Sequence, residues 1–84
     1  MYWDITSVKP KKHLALDVSF ADGLNGTVLF KPSHLTGVFA SLKDESYFNQ
    51  VYVDHGVVTW PGELDLAPDA MHAEIKKHGQ WILD

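Results

Sequence analysis

The stretch Val51 to Asp69, VYVDHGVVTWPGELDLAPD, constrains the fold more than any other part of the chain, because it reads as strand, tight turn, strand, loop and helix start. With His55-Gly56 as a two-residue hairpin loop, Asp54 pairs with Val57, Val53 with Val58, Tyr52 with Thr59 and Val51 with Trp60. That register places Val51, Val53, Val58 and Trp60 on one face and Tyr52, Asp54, Val57 and Thr59 on the other. The first face suits a core. Trp60 is therefore expected to be buried against its face-mates and against a row of apolar residues from an earlier strand. Pro61-Gly62 ends the pairing. Asp65 to Asp69 then carries helix-entry signals, with Pro68 placed where a missing N–H costs nothing. The stretch specifies a scaffold and no chemistry.

Upstream, Met1 to Val8 reads as a first strand closed by Pro10, with Trp3, Ile5 and Ser7 on one face and Tyr2, Asp4, Thr6 and Val8 on the other. The next segment has the cleanest period of two: Leu14, Leu16, Val18 and Phe20 point one way, and His13, Ala15, Asp17 and Ser19 the other. Ala21 to Gly26, with Asp-Gly and Asn-Gly, reverses the chain, and Gly26 to Phe30 returns as a third antiparallel strand. From Lys31 the period changes. Pro32 to Leu35 suits a helical turn ended by Thr36-Gly37, and Asp44 suits the cap of a short helix containing Tyr47 and Phe48. A final helix runs from Pro68 to His78 with Met71, Ile75 and His78 on one side and Gly79 as its C-cap. The predicted fold is α+β: a small antiparallel sheet of about five strands, a meander plus a hairpin, with one or two short helical turns and a C-terminal helix.

Beyond Gly79 the residues Gln80-Trp81-Ile82-Leu83 are strongly apolar for a terminal segment. They either pack back on the domain or meet a second subunit or partner, which makes Trp81, Ile82 and Leu83 the candidate interaction surface.

The 84 residues, 45% of them hydrophobic, suffice for one modest core, so residues 1–84 are read as a single domain. The formal charge of −4 argues against a surface built to condense on phosphate backbones. Local basic groups remain in Lys9, Lys11 and Lys12 around Pro10, read as a solvated turn, and in Lys76-Lys77-His78, read as complementing a helix C-terminus. With no cysteine, folding relies on packing, and no thiolate is present as nucleophile or metal ligand. The N-terminus lacks the basic start and apolar run of a signal peptide, and no segment approaches the ~18 apolar residues of a membrane span. The expected location is the cytoplasm.

Tests for chemistry give no assembled site. The five histidines, His13, His34, His55, His72 and His78, are scattered along the chain, and the two that share an element, His72 and His78, stand about 240° apart on a helix of ~3.6 residues per turn. Glu74 and His78 share a face, but two ligands make an incomplete metal site. Ser7, Ser19, Ser33, Ser41 and Ser46 all lack a nucleophile elbow. Asp54-His55 is a candidate carboxylate–imidazole pair, with Asp54 bonding its own backbone as the competing reading. Glu63, Asp65 and Asp69 are acids, two of them suited to a helix start. Gly23-Leu24-Asn25-Gly26 lacks phosphate-loop spacing. Tyr2, Trp3, Tyr47, Tyr52, Trp60 and Trp81 suit core or interface better than nucleic-acid stacking, which needs a basic groove. No catalytic residue, cofactor or metal is expected.

Met1 to Ile5, Val8-Lys9-Pro10, Gly37 to Ala40, Leu42-Lys43-Asp44, Phe48 to Val51, Val53-Asp54, Thr59-Trp60-Pro61 and Asp65 to Asp69 together resemble a short bacterial family, uncharacterised domain family 2442, from residue 1 to about 70. The resemblance implies an α+β domain similar to the N-terminal domain of a Nitrosomonas protein, with short antiparallel strands and helices to one side. It implies no established activity and supplies no catalytic residues. It also implies a small co-encoded partner protein, in a toxin–antitoxin-like pair. After Trp60, where many members turn through Asn-Gly, this chain has Pro61-Gly62-Glu63-Leu64.

The function expected is a small non-enzymatic interaction or regulatory module acting with that partner or with a second copy of the chain, with no nucleic acid and no membrane. The alternatives are an antitoxin-like nucleic-acid-binding regulator and a small enzyme or metal-binding protein.

Overall fold

The alternation of Leu16, Val18 and Phe20 builds the middle of the larger sheet. In the computed structural model, which describes residues 1–84, these side chains on strand β2 (Ala15–Phe20) are all buried. Strand β2 pairs with β1 (Ile5–Lys12) on one side and with β3 (Asn25–Phe30) on the other, both antiparallel, giving the expected meander. Two departures concern β1. It begins later and ends later than the sequence suggests, running through Pro10, because an edge strand can turn a proline's missing N–H away from its only neighbour. A bulge between Ile5 and Ser7 also shifts the parity, so that Val8 faces Val18 and joins Ile5 on the core side instead of opposing it.

Between β3 and the hairpin the chain forms 3-10 turns at Pro32–His34 and Gly37–Lys43 and a single helical turn, α1 (Glu45–Phe48), which is three short helical pieces in place of one or two. Gly37 starts the second of these instead of ending the first. Asp44 caps α1 as expected, its carboxylate accepting from Ser46 N–H at 3.0 Å.

The hairpin has the predicted register, Tyr52 with Thr59, Val53 with Val58 and Asp54 with Val57, between β4 (Tyr52–Asp54) and β5 (Val57–Trp60). His55 (φ 51°) and Gly56 (φ 78°) both lie in the left-handed region, the geometry of a type I′ turn. Strand β6 (Leu64–Asp65), unforeseen in the sequence, folds back on β5. It buries Thr59, which the alternation had assigned to the partly exposed face, and its Leu64 carbonyl accepts from the Thr59 hydroxyl at 2.8 Å. The chain thus has seven strands in two sheets, β1-β2-β3-β7 and β4-β5-β6, instead of about five in one. The Ile5 N–H donates to the Gly56 carbonyl at 2.9 Å and joins the sheets at the hairpin turn.

Helix α2 (Pro68–His78) has the predicted limits, and Gly79 closes it at φ 80°. Its buried side is Met71, His72 and Ile75, with His78 exposed, so the apolar stripe turns toward His72 rather than His78. A single core joins the sheet row Ile5, Leu16, Val18, Phe20, Val28 and Phe30 to Val58 and Trp60 and to Met71 and Ile75. Trp60 is fully buried there, next to Phe48 and Phe30, and donates its indole N–H to the Phe48 carbonyl at 2.9 Å.

The segment after Gly79 forms β7 (Gln80–Leu83), which pairs in parallel with β3 from Thr27–Gln80 to Phe30–Leu83. The tail therefore packs back on its own domain. Trp81 and Leu83 are half-buried against the core, and Ile82 is 42% exposed.

Candidate functional site

Two surfaces bring together groups that the packing of the fold does not use. The first is the outer edge of β7. The Lys31 N–H donates to the Leu83 carbonyl at 2.8 Å, so the main chain of Leu83, and of Trp81 two residues earlier, faces β3. The main-chain groups of Gln80 and Ile82 consequently point to the side where β7 has no neighbour. Beside this edge lies a groove of about 400 Å³ lined by Glu74, His78, Gln80 and Ile82. Glu74 takes part in none of the ion pairs of the protein. Of the residues expected at an interaction surface, Ile82 stands at the groove, and Trp81 and Leu83 hold the strand to the core.

The second surface surrounds His72. The Asp-Gly turn between β2 and β3 positions its partner. Gly23 (φ 91°) lets the chain reverse tightly, the Leu24 N–H donates to Asp22 Oδ1 at 3.0 Å, and Oδ2 is left to meet His72 Nε2 at 2.8 Å. The His72 hydrogen bond, then the Leu24 N–H, holds the Asp22 carboxyl below its ordinary value of 3.8. An ionised carboxylate only accepts, so Nε2 carries the hydrogen in this contact, and in a neutral imidazole this leaves the lone pair on Nδ1. The ring sits between Tyr2 and Phe20, edge-on to both, with centroids 4.9 and 4.8 Å away. It is only 4% exposed and lines a cleft of about 410 Å³ with Tyr2, Trp3, Asp69, Lys76 and Lys77. Nδ1 has no hydrogen-bond partner in the chain and is not sealed from solvent.

Sequence reasoning found no partner for His72 among the scattered histidines. Its burial is a tertiary effect, since the partner lies fifty residues away in sequence, and the only local signal was its position next to Met71 on the apolar side of the helix. His13 is also drawn inward, its Nε2 lying 2.9 Å from the Leu42 carbonyl. The Asp54–His55 contact forms at 2.8 Å, on an open turn with the imidazole 94% exposed, where such pairs contribute little. Glu63 and Leu64 line a larger cleft of about 570 Å³ with Val38, Phe39 and Tyr47, and the Tyr47 hydroxyl donates to the Pro61 carbonyl across it. No group of three or more His, Asp or Glu stands close enough to hold a metal ion, and no helix is long and apolar enough to cross a membrane.

The Asp22–His72 pair sets an expected result. Asp22 should titrate below an ordinary aspartate, and His72→Gln should raise it toward that value, as read by carboxyl carbon shifts in an NMR titration. Because the folded value is depressed, the contribution of the pair to stability is present above about pH 4 and is lost as pH falls through the folded value. Asp22→Asn should remove that acid-side loss. Identical acid melts for Asp22→Asn and the parent would show that the pair does not couple to folding.

Residues 5–77 match the model of the family described as protein of unknown function (DUF2442). The chain belongs to this family. The match runs from the first residue of β1 to the last turn of α2, and so takes in Asp22, His72 and both sheets except β7. No curated protein and no solved structure matches the chain, and the expected likeness to a Nitrosomonas domain finds no support there.

Proposed function

We propose that this member of the DUF2442 family is a non-enzymatic interaction module that accepts a β-strand from a small co-encoded partner protein on the open edge of β7. The observation that carries the reading is the outward main chain of Gln80 and Ile82 beside a groove lined by side chains of α2. An added strand takes its affinity from main-chain hydrogen bonds and its specificity from side-chain pockets, and this edge offers both. Glu74, free of ion pairs, gives the groove a preference for a strand carrying lysine or arginine, and the net charge of −4 favours a basic partner over the whole approach. The pairing operates in the cytoplasm, where a cysteine-free domain held by packing alone keeps its structure under reducing conditions.

Ile82→Pro provides the test. Its N–H points away from β3, so proline removes an edge donor and keeps the ladder that holds β7 to the sheet. Coexpression with the small protein encoded beside this chain should give a complex that survives copurification. Ile82→Pro, and separately Glu74→Lys, should weaken it at least tenfold, with the circular dichroism of each variant unchanged. The paired change of Trp81 and Ile82 to Ser should weaken it further. Absence of a complex, or a complex indifferent to both single changes, would overturn the reading. A dimer of the chain alone in sedimentation, disrupted by Ile82→Pro, would replace the co-encoded partner with a second copy.

A further inference from the structure

We propose that the cleft beside His72 is a binding site for a small polyhydroxylated anion of the sugar-phosphate or sugar-acid type. The site is independent of the β7 edge, since it lies on a different side of α2, with Asp69, His72, Lys76 and Lys77 facing it in place of Glu74 and His78.

The strongest observation is an almost wholly buried imidazole with one nitrogen unspent. Asp22 fixes the ring through Nε2, and the turn at Gly23 in turn fixes Asp22 through the Leu24 N–H. A purely structural histidine would be satisfied by this bond and by its packing between Tyr2 and Phe20. Here the second nitrogen has no partner in the protein and is not sealed from solvent, on a ring that lines the cleft, and in the neutral form of the imidazole it is a hydrogen-bond acceptor held in one orientation. Holding an imidazole so that its free nitrogen meets a ligand hydroxyl is the arrangement that gives such a contact specificity, because the orienting carboxylate removes the alternative tautomer.

The other walls define what accompanies that hydroxyl. Lys76 and Lys77 bring two ammonium groups to the cleft, and neither forms an ion pair within the protein. Complementing the helix C-terminus accounts for their position in the last turn of α2, but that role leaves their charges available to an anion. Asp69 supplies a second acceptor in the first turn of the same helix. The rings of Tyr2 and Trp3, 4.9 Å apart and edge to face, form the apolar wall. Two acceptors for hydroxyls, two cations for a phosphate or carboxylate, and an aromatic wall for the C–H face of a sugar describe one ligand chemistry. The cleft, about 410 Å³, has room for a molecule the size of a pentose phosphate. A simple inorganic anion would use the lysines and leave Nδ1 unpaired. A cation is disfavoured by the same lysines.

Ribose 5-phosphate and gluconate distinguish the two sources of negative charge, and inorganic phosphate and ribose each carry half of the chemistry. The experiment is an NMR titration of the protein with each probe, following the imidazole resonances of His72 and the indole N–H of Trp3. Ribose 5-phosphate or gluconate should shift both residues with a dissociation constant at least tenfold lower than that of inorganic phosphate or ribose. The double change Lys76→Gln and Lys77→Gln, on the surface and outside the core, should weaken that binding at least tenfold without altering the fold. His72→Asn, checked for folding by circular dichroism, should reduce the preference over inorganic phosphate. No shift with any probe at millimolar concentration, equal binding of inorganic phosphate, or binding unchanged in the lysine variant would each overturn the proposal.

Discussion

Trp60→Ala should lower the stability of the protein by about 3–5 kcal/mol, a large share of the about 4–12 kcal/mol that a chain of this length possesses. The indole is fully buried, and its removal leaves a cavity bordered by Phe30 and Phe48, the two rings it packs beside. It also removes the shorter of the two hydrogen bonds to the buried Phe48 carbonyl, leaving that from the Val51 N–H at 3.3 Å. Trp60→Phe separates the two contributions, since it keeps most of the volume and loses the N–H, and it should cost less than half as much. Urea unfolding followed by far-ultraviolet circular dichroism measures both. A Trp60→Ala midpoint within error of the parent would mean that this side chain is not the keystone of the core.

The second large effect is expected at Gly26. The residue pairs with Val18 on the core-facing side of β3, and helix α2 crosses directly over it. A Cβ built there would lie 2.4 Å from Ile75 Cγ2 and 3.0 Å from the Gly79 carbonyl oxygen. Ile75 is itself buried and β-branched, so it has little freedom to turn aside. Gly26→Ala should therefore destabilise by about 1–3 kcal/mol, and Gly26→Val by more, through overpacking. The double variant Gly26→Ala with Ile75→Ala should recover part of the loss, giving a favourable coupling in the double-mutant cycle. Additive costs would show that helix and strand do not touch at this point.

Gly26 also shows where the sequence stops being legible. Its dipeptide with Asn25 reads as a turn signal, and the turn is there, but the turn's positive-φ residue is Gly23. Gly26 is needed for the close approach of a helix fifty residues downstream, which no local pattern announces. The elements themselves were readable wherever period and punctuation agreed: the row Leu16, Val18 and Phe20, the hairpin through His55-Gly56, and α2 between Pro68 and Gly79. The Thr36 to Lys43 stretch was not, because 3-10 turns have no amphipathic period long enough to detect. The third strand of the smaller sheet was hidden for another reason. It is β6, a strand of two residues whose pairing is set by the turn through Gly62 and Glu63, both at positive φ. For the candidate sites the split is similar. The tail residues Trp81, Ile82 and Leu83 stand out by composition, and alternation assigns Ile82 to the outside once the strand is known. His72 and Asp22 are unremarkable in sequence and meaningful only as a pair.

The parallel pairing of β3 with β7 has a bearing on how the chain reaches this structure. The meander β1-β2-β3 closes through short reversals and can form early, whereas Thr27 must wait for Gln80 across the hairpin and α2 before the fourth strand docks. During that interval β3 is itself the border of a three-stranded sheet, with its hydrogen-bonding groups unclaimed. The same vacancy fits the β7 of a neighbouring molecule as well as its own, so crowded refolding would favour reciprocal exchange of tails between two chains. Dilution during refolding, by giving each chain time to recapture its own β7, is the condition under which the closed monomer should accumulate.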